Sequence, residues 1–407
     1  MKVAEPTGIR PASRKPRRDR RTPWIKWSNR FDRHEWAGAF GDLGTLIPFV
    51  VGYISVVGMD PCAVLFVFGV AMVASGMHYG TPVPVQPMKA IGAAAAAQSA
   101  HAAVSIHTVA AAGLVTGALW LVLGLTGFAK RLRAWISDGV AIGIVVGLGL
   151  SLAWTGLTMV ANGWLLGIVT FLLTVALLRF QAIPTMLLLL VFSFIVALIQ
   201  NPELANQLRV IHPQLRLPVS SLPGMSWADL VTGTVLLALP QLPLTLGNAV
   251  IATTRENNRL FPERMVSEGK LMISTGVMNL GSALTGGIPM CHGAGGMAAH
   301  VRFGARTGGA PVILGTILLV LALGFSTSIE TMFRMFPSAI LGVILLLAGM
   351  QLVLGARSSI RPADVPTRWV IGATAVLVLW NVAAGFVAGM IADQLVRSWR
   401  RRTERKP

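Results

Sequence analysis

Two stretches of this chain place polar groups inside otherwise apolar runs, where they have chemistry to do. The first reads Thr81-Pro82-Val83-Pro84-Val85-Gln86-Pro87-Met88-Lys89 and leads into the Ala-rich run Ala90 to Ala100. Prolines at alternating positions enforce an extended approach, and Pro87 suits the first position of the helix that follows. The second reads Thr285-Gly286-Gly287-Ile288-Pro289-Met290-Cys291-His292-Gly293-Ala294-Gly295-Gly296 and opens another short segment. A short helix that starts at depth in a membrane aims unpaired N–H groups and the positive end of its dipole at the protein centre. Lys89 adds a full positive charge, and Gln86 and His292 add donors, so the arrangement suits reversible binding of an oxyanion. Each residue has a plainer reading as well. Lys89 could snorkel to an interface, His292 could pack or cap, and Gly293, Gly295 and Gly296 could serve close helix contact.

A second polar set lies in the first apolar segment of each half. Gly41-Asp42-Leu43-Gly44-Thr45-Leu46-Ile47-Pro48 has its counterpart in Leu239-Pro240-Gln241-Leu242-Pro243-Leu244-Thr245-Leu246-Gly247-Asn248. An acid within a membrane segment is a functional candidate by default. Asp42 has three readings: it takes up a coupling proton, it pairs with Lys89, or it caps a helix near the surface. Gln241 is neutral and carries no proton at ordinary pH. Asp42 has no acidic neighbour to share Mg²⁺, which weighs against an enzyme acting on diphosphate lipids. Cys62 and Cys291 stand alone in apolar or Gly-rich surroundings, so neither a metal cluster, a disulfide framework nor a cofactor is expected.

These residues need an apolar scaffold. The chain is 54% hydrophobic and 12% charged with a mean hydropathy of +0.67, whereas soluble domains are roughly 45–50% apolar and about 25% charged. The expected fold is an all-α polytopic membrane protein of about 14 segments in two inverted seven-segment repeats, with two short half-helices entered through extended lead-ins. The boundaries place a basic cytoplasmic arm at 1–33, the first repeat at 34–200 and an external loop at 201–227. The second repeat follows at 228–397 and a basic cytoplasmic tail at 398–407. With the N-terminus inside and alternation throughout, all Lys and Arg except Arg209, Arg216, Arg334 and Lys89 fall on the inner side or in the termini, as the positive-inside rule requires. The net charge of +18 is therefore assigned to topology and anionic lipid headgroups, and no nucleic-acid partner is expected. Ser137 and Asp138 read as an N-cap pair, His101 and His107 as outer-face residues, and the mixed-charge stretch Arg255 to Lys270 as a linker.

The motifs Phe40-Gly41-Asp42-Leu43-Gly44-Thr45, Pro84-Val85-Gln86-Pro87-Met88-Lys89-Ala90-Ile91, Gln241-Leu242-Pro243-Leu244-Thr245 with Asn248-Ala249-Val250, and Pro289-Met290-Cys291-His292-Gly293-Ala294-Gly295-Gly296 with Arg302-Phe303-Gly304-Ala305-Arg306-Thr307-Gly308 resemble the molybdate transporter family, related to the SulP sulfate permeases. The resemblance runs from about residue 30 to 397 and implies the uracil-permease-type division into core and gate domains. It implies a secondary transporter in the inner membrane that moves molybdate by alternating access, with sulfate as the alternative and a nucleobase permease or an anion channel behind it. The substrate would sit between the third and tenth segments against Gln86, Met88, Lys89, Cys291, His292 and Gly293, with Gln241, Thr245 and Asn248 completing the wall. Asp42 and Thr45 would serve coupling or charge pairing. About ten residues follow Val396, too few for the soluble STAS domain that ends many SulP permeases. A homodimer is implied by family analogy alone.

Overall fold

The computed structural model describes residues 29–98, 104–127, 137–177, 185–203, 213–334 and 337–403. The basic arm up to residue 28, His101 and the last four residues lie outside that set. In the first half, Asp32 accepts the His34 and Glu35 amides and starts α1 (Arg33–Ala39), which turns through Phe40–Asp42 into α2 (Leu43–Ser55). Asp60 caps α3 (Pro61–Tyr79), a two-residue strand β1 (Gln86–Pro87) leads into α4 (Lys89–Gln98), and Ser105 caps α5 (Ile106–Thr126). Then come α6 (Asp138–Ala161), α7 (Trp164–Leu177) and α8 (Thr185–Gln200).

The second half repeats this order. α9 (Trp227–Leu260) is one long helix with two π-helical stretches, Gly233–Ala238 and Thr245–Ala252. They flank Pro240 and Pro243, whose missing N–H groups break the regular ladder and leave it to re-form with a wider turn. α10 (Glu268–Leu284), strand β2 (Met290–Cys291), α11 (Ala294–Arg302), α12 (Gly309–Arg334), α13 (Ser338–Ile360), α14 (Val365–Trp380) and α15 (Val382–Thr403) follow. Among the described residues six helices are long and apolar enough to cross a membrane, or seven if the pair Arg33–Asp42 and Thr45–Ser55, bent by 49°, counts as one span.

Among the described residues the three most extensive helix pairings join the halves: α3 with α12, α5 with α10 and α6 with α13. Each runs antiparallel through small residues. A Cβ on Gly69 would lie 2.8 Å from the Gly315 oxygen, and one on Gly76 would overlap the Gly308 oxygen. Gly149 and Gly349, and Gly156 and Gly342, meet in the same way between α6 and α13, while Gly117 and Gly124 of α5 abut Leu280 and Ile273 of α10. Such backbone contact is the usual device where helices pack without a hydrophobic driving force. The N-terminal end is fastened by Glu35, which is fully buried and accepts the amides of Arg306 (2.9 Å), Thr307 (2.9 Å) and Ala310 (3.1 Å).

Several segment ends differ from the sequence reading. α9 continues to Leu260, so of the stretch assigned to a linker only 261–267 is non-helical. The helix outruns its apolar pattern because Arg259 pairs with Glu256 three residues back (2.6 Å). Asn257 and Asn258 also donate to the Arg264 and Val266 carbonyls at 2.8 and 3.0 Å. Similarly, α15 carries the basic tail in helical form to Thr403. Ser137 caps α6 as expected, with its hydroxyl 2.6 Å from the Asp393 carboxylate.

Candidate functional site

The two extended lead-ins meet at the centre of the fold. β1 and β2 pair antiparallel with Gln86 opposite Cys291 and Pro87 opposite Met290, and the Met88 amide donates to the Pro289 carbonyl at 3.0 Å. Pro82, Pro84, Pro87 and Pro289 hold both strands extended while removing donors that two residues of ladder could not satisfy. Asn279 of α10 fixes β2 from behind, accepting the Met290 amide (2.9 Å) and donating to the Met290 carbonyl (2.6 Å). His292 is part of the same fastening. Its Nδ1 donates to the Pro84 carbonyl (2.8 Å), its Nε2 meets the Ser274 hydroxyl (2.7 Å), and the ring is fully buried against Tyr79. With both nitrogens engaged, it is directed into the scaffold and away from the other polar residues of the break.

The two half-helices α4 and α11 leave this crossing with different partners at their first turns. Gln241, from the Pro-rich break in α9, accepts the Ala90 and Ile91 amides of α4 at 2.8 and 3.4 Å and donates to the Thr245 hydroxyl at 3.0 Å. A distant carboxamide thus performs the work of an N-cap. At α11, the residue in the equivalent place is Asp42. Its Oδ1 accepts from Gln86 Nε2 at 2.6 Å, and a Cβ on Gly296 would lie 2.7 Å from its Oδ2. Among the described residues no protein group accepts the Ala294, Gly295 or Gly296 amides. Free donors are therefore concentrated at α11.

Around Gly293 the remaining residues converge. A Cβ there would overlap Gln86 Oε1 and lie 3.6 Å from Asn248 Nδ2, so only glycine lets the strand pass between these two amides. Lys89 is half-buried and its charge acts on both Asp42 and Cys291. Asp42 makes its direct contact with Gln86, not with Lys89. Met88 and Cys291 are buried and form the apolar floor, and Thr45 stands half-buried near Asp42. Asp42, Gln86, Lys89, Asn248, Cys291 and Gly293 thus come together, Gln241 and Thr245 support α4, and His292 supports β2. His300, fully buried on α11 with Nδ1 donating to the Gly38 carbonyl at 2.7 Å, also belongs to the set. It went unmarked in the sequence because a histidine near the end of a basic helix has no distinguishing pattern.

A cavity of 500 Å³ reaches Ala294, next to Gly293 at the start of α11. Its walls are Asp138 and Ala141 on α6, the stretch of α9 from Pro243 through Gly247 and Ala252 to Arg255 and Arg259, and Ala294 at the start of α11. Its charged lining is mixed, with Arg255 and Arg259 beside Asp138 and Glu256, and Arg259 is paired with Glu256 through two hydrogen bonds, at 2.9 and 2.6 Å. The free first-turn amides of α11 and the nearby lysine are a setting that can hold a compact anion. Among the described residues no group of His, Cys, Asp and Glu could hold a metal ion.

Comparison with known proteins agrees with this picture. Over 89% of the chain and 87% of the relative, it is 31% identical to molybdate transporter 2 of Arabidopsis thaliana. It is 30% identical to molybdate transporter 1 of the same plant over 86% and 85%. A relative from Chlamydomonas reinhardtii, also molybdate transporter 1, is 26% identical over 90% and 91%. Among solved structures, the transmembrane domain of the cyanobacterial bicarbonate transporter BicA superposes with a TM-score of 0.63 at 17% identity, covering 88% of this chain and 96% of that one. The murine Slc26a9 anion transporter in an inward-facing state gives 0.65 at 12%, covering 90% and 68%. The helical membrane fold described above is the one these proteins share. Residues 34–152 and 233–352, which contain both lead-ins, both half-helix starts and the Asp42 and Gln241 breaks, match the family described as molybdate transporter of MFS superfamily, and the chain belongs to that family.

Proposed function

We propose that this protein carries molybdate across the cytoplasmic membrane as a secondary transporter. The anion sits beside Gly293, taking hydrogen bonds from the first-turn amides of α11 and from Asn248, with Lys89 supplying the opposing charge. The observation that carries this reading is the crossing of β1 and β2, which brings the start of α11, with free amides and Ala294 on a cavity wall, beside the strand that leads into Lys89. The relatives in the plant and the alga are named for molybdate, which supports that oxyanion over sulfate as the proposed cargo.

Two features support an inverted repeat of 34–200 and 228–397 within a 14-segment architecture. The same family description matches both halves at an offset of about 200 residues. If segments are counted in chain order with α1 and α2 as one, the pairing of the second with the eleventh is the mirror of the ninth with the fourth, and the fifth pairs with the twelfth. A two-fold axis in the membrane plane relates such contacts, and the anion lies on it. The cavity separates α6, in the gate domain, from α9 and α11, in the core, and opens toward Arg255 and Arg259. With basic loops inside, this is an inward-facing arrangement with cytoplasmic termini, and transport moves the core past the gate. By analogy with the family, the working unit is a homodimer in lipid.

The test of substrate is competition binding to purified protein. Labelled molybdate displaced by unlabelled molybdate at far lower concentration than by sulfate, with binding lost in Lys89→Ala, supports the assignment. Displacement by sulfate at equal or lower concentration reassigns the cargo, and full binding in Lys89→Ala removes the lysine from the site.

A further inference from the structure

The helix that begins beside Asp42 carries a buried donor for which the fold supplies no acceptor. Tyr53 of α2 is 1% exposed, and its hydroxyl meets no hydrogen-bond partner among the described residues. The ring packs in the same apolar core as Met88, Ile91, Met290 and Cys291. Phenylalanine fills that space equally well and leaves no hydrogen unused. A fully buried polar atom without a partner needs a reason, and a ligand that brings the acceptor is one.

The surroundings of Tyr53 say which ligand. Gly92 stands three residues after Lys89, on the same face of α4. A Cβ on Gly92 would lie 2.6 Å from Phe49 Cδ1 and 3.3 Å from Tyr53 Cε2, so the glycine lets both rings of α2 close on the first turn of α4. Leu46, Phe49 and Tyr53 follow at helical spacing in a stripe that continues from Asp42. Aromatic side chains on a helix lean toward its N-terminus, so the hydroxyl of Tyr53 is carried back along α2 in the direction of the crossing. There it comes within electrostatic reach of the Cys291 sulfur on β2, two residues before Gly293.

We propose that the Tyr53 hydroxyl donates a hydrogen bond to the bound oxyanion. The inference rests on the molybdate reading of the site and adds a residue to it. The amides of α11 and the Asn248 carboxamide come to the anion from the second half of the chain, and Lys89 brings charge from α4. Tyr53 encloses the anion from α2. A phenol keeps its hydrogen at ordinary pH, so it supplies a donor without altering the charge of a site that already holds a lysine. Its ring is fixed by Phe49 and Gly92, and a rigid donor sets where one oxygen of the ligand lies.

The chain has one other tyrosine, Tyr79, whose hydroxyl is engaged with the Ser274 hydroxyl (2.7 Å) and the Lys270 carbonyl (3.2 Å). That pair makes the experiment specific. The full chain in nanodiscs, carrying tyrosine isotope-labelled at the ring carbon that bears the hydroxyl, is followed by NMR as sodium molybdate is added, and affinity is measured in parallel. The Tyr53 signal, assigned by its loss in Tyr53→Phe, is expected to shift with the binding curve while the Tyr79 signal stays in place. Tyr53→Phe is expected to weaken molybdate binding by about tenfold and to melt no lower than wild type, because the fold loses no hydrogen bond. A Tyr53 signal unmoved at saturating molybdate overturns the contact whatever the affinity of the variant, and so does a Tyr53→Phe affinity equal to wild type. Both of these results leave the molybdate site standing. No molybdate binding by the wild type overturns the site and the contact together.

Discussion

Gly293 is the residue at which the candidate site is most sensitive to a small change. Adding one methyl group places it on Gln86 Oε1 and forces apart the amides that flank the strand. Gly293→Ala should weaken molybdate binding by at least about tenfold, a loss of roughly 1.4 kcal/mol, measured by equilibrium binding. Gly281→Ala, where the added carbon meets nothing within 4 Å, should bind as wild type. Gln241 acts differently, since its carboxamide oxygen caps α4. Gln241→Leu leaves the Ala90 and Ile91 amides buried without their acceptor, which costs about 1–3 kcal/mol and should appear in thermal unfolding. Much of this was legible in the sequence. The two Pro/Gly breaks, the lysine beside one of them and the correspondence of Asp42 with Gln241 follow from residue type and position. The direction of His292 did not, because Pro84 and Ser274 reach it from separate segments, and no local pattern says which wall a ring faces. His300 and Glu35 were missed for the same reason: their partners are the Gly38 carbonyl and the loop at 306–310, contacts made only when the halves pack together.

At the scale of elements, the antiparallel glycine contacts are what allow α6 to lie against α13. A larger side chain at Gly156 would strike the backbone at Gly342 and Leu346, and overpacking of this kind typically costs about 1–3 kcal/mol. Gly156→Leu should therefore lower the melting temperature. Glu35 makes an equally specific join, since three backbone amides at the start of α12 depend on one carboxylate from α1. Glu35→Ala should destabilise the fold by about 3 kcal/mol or more, seen as a lower midpoint in thermal or denaturant unfolding, with Glu35→Gln intermediate. Helix presence and order were readable from apolar runs between breaks. Helix ends were not, as α9 shows: Arg255 to Leu260 look like a charged linker in the sequence, yet i,i+3 pairing and the two asparagines extend the helix through them.

For the whole molecule, the cavity between α6, α9 and α11 is the place to test the proposed cytoplasmic access. In Gly247→Cys, a new thiol on the exposed cavity wall should react with a membrane-impermeant maleimide from the cytoplasmic side only, and molybdate should slow that reaction. The native Cys62 and Cys291 are buried and should stay silent. The expectation of two inverted halves came from the odd number of segments read in each and from the lysine and arginine distribution. The cavity is a property of how α6 packs against α9 and α11, which no sequence pattern encodes.

The most direct test of the account is molybdate movement through the protein itself. Purified protein reconstituted into vesicles loaded with unlabelled molybdate should accumulate labelled molybdate from outside by counterflow, saturably. Excess sulfate should have little effect on that accumulation, and Lys89→Ala should lack it. Absence of counterflow in the wild type, while the protein remains folded and binds the anion, would contradict a carrier.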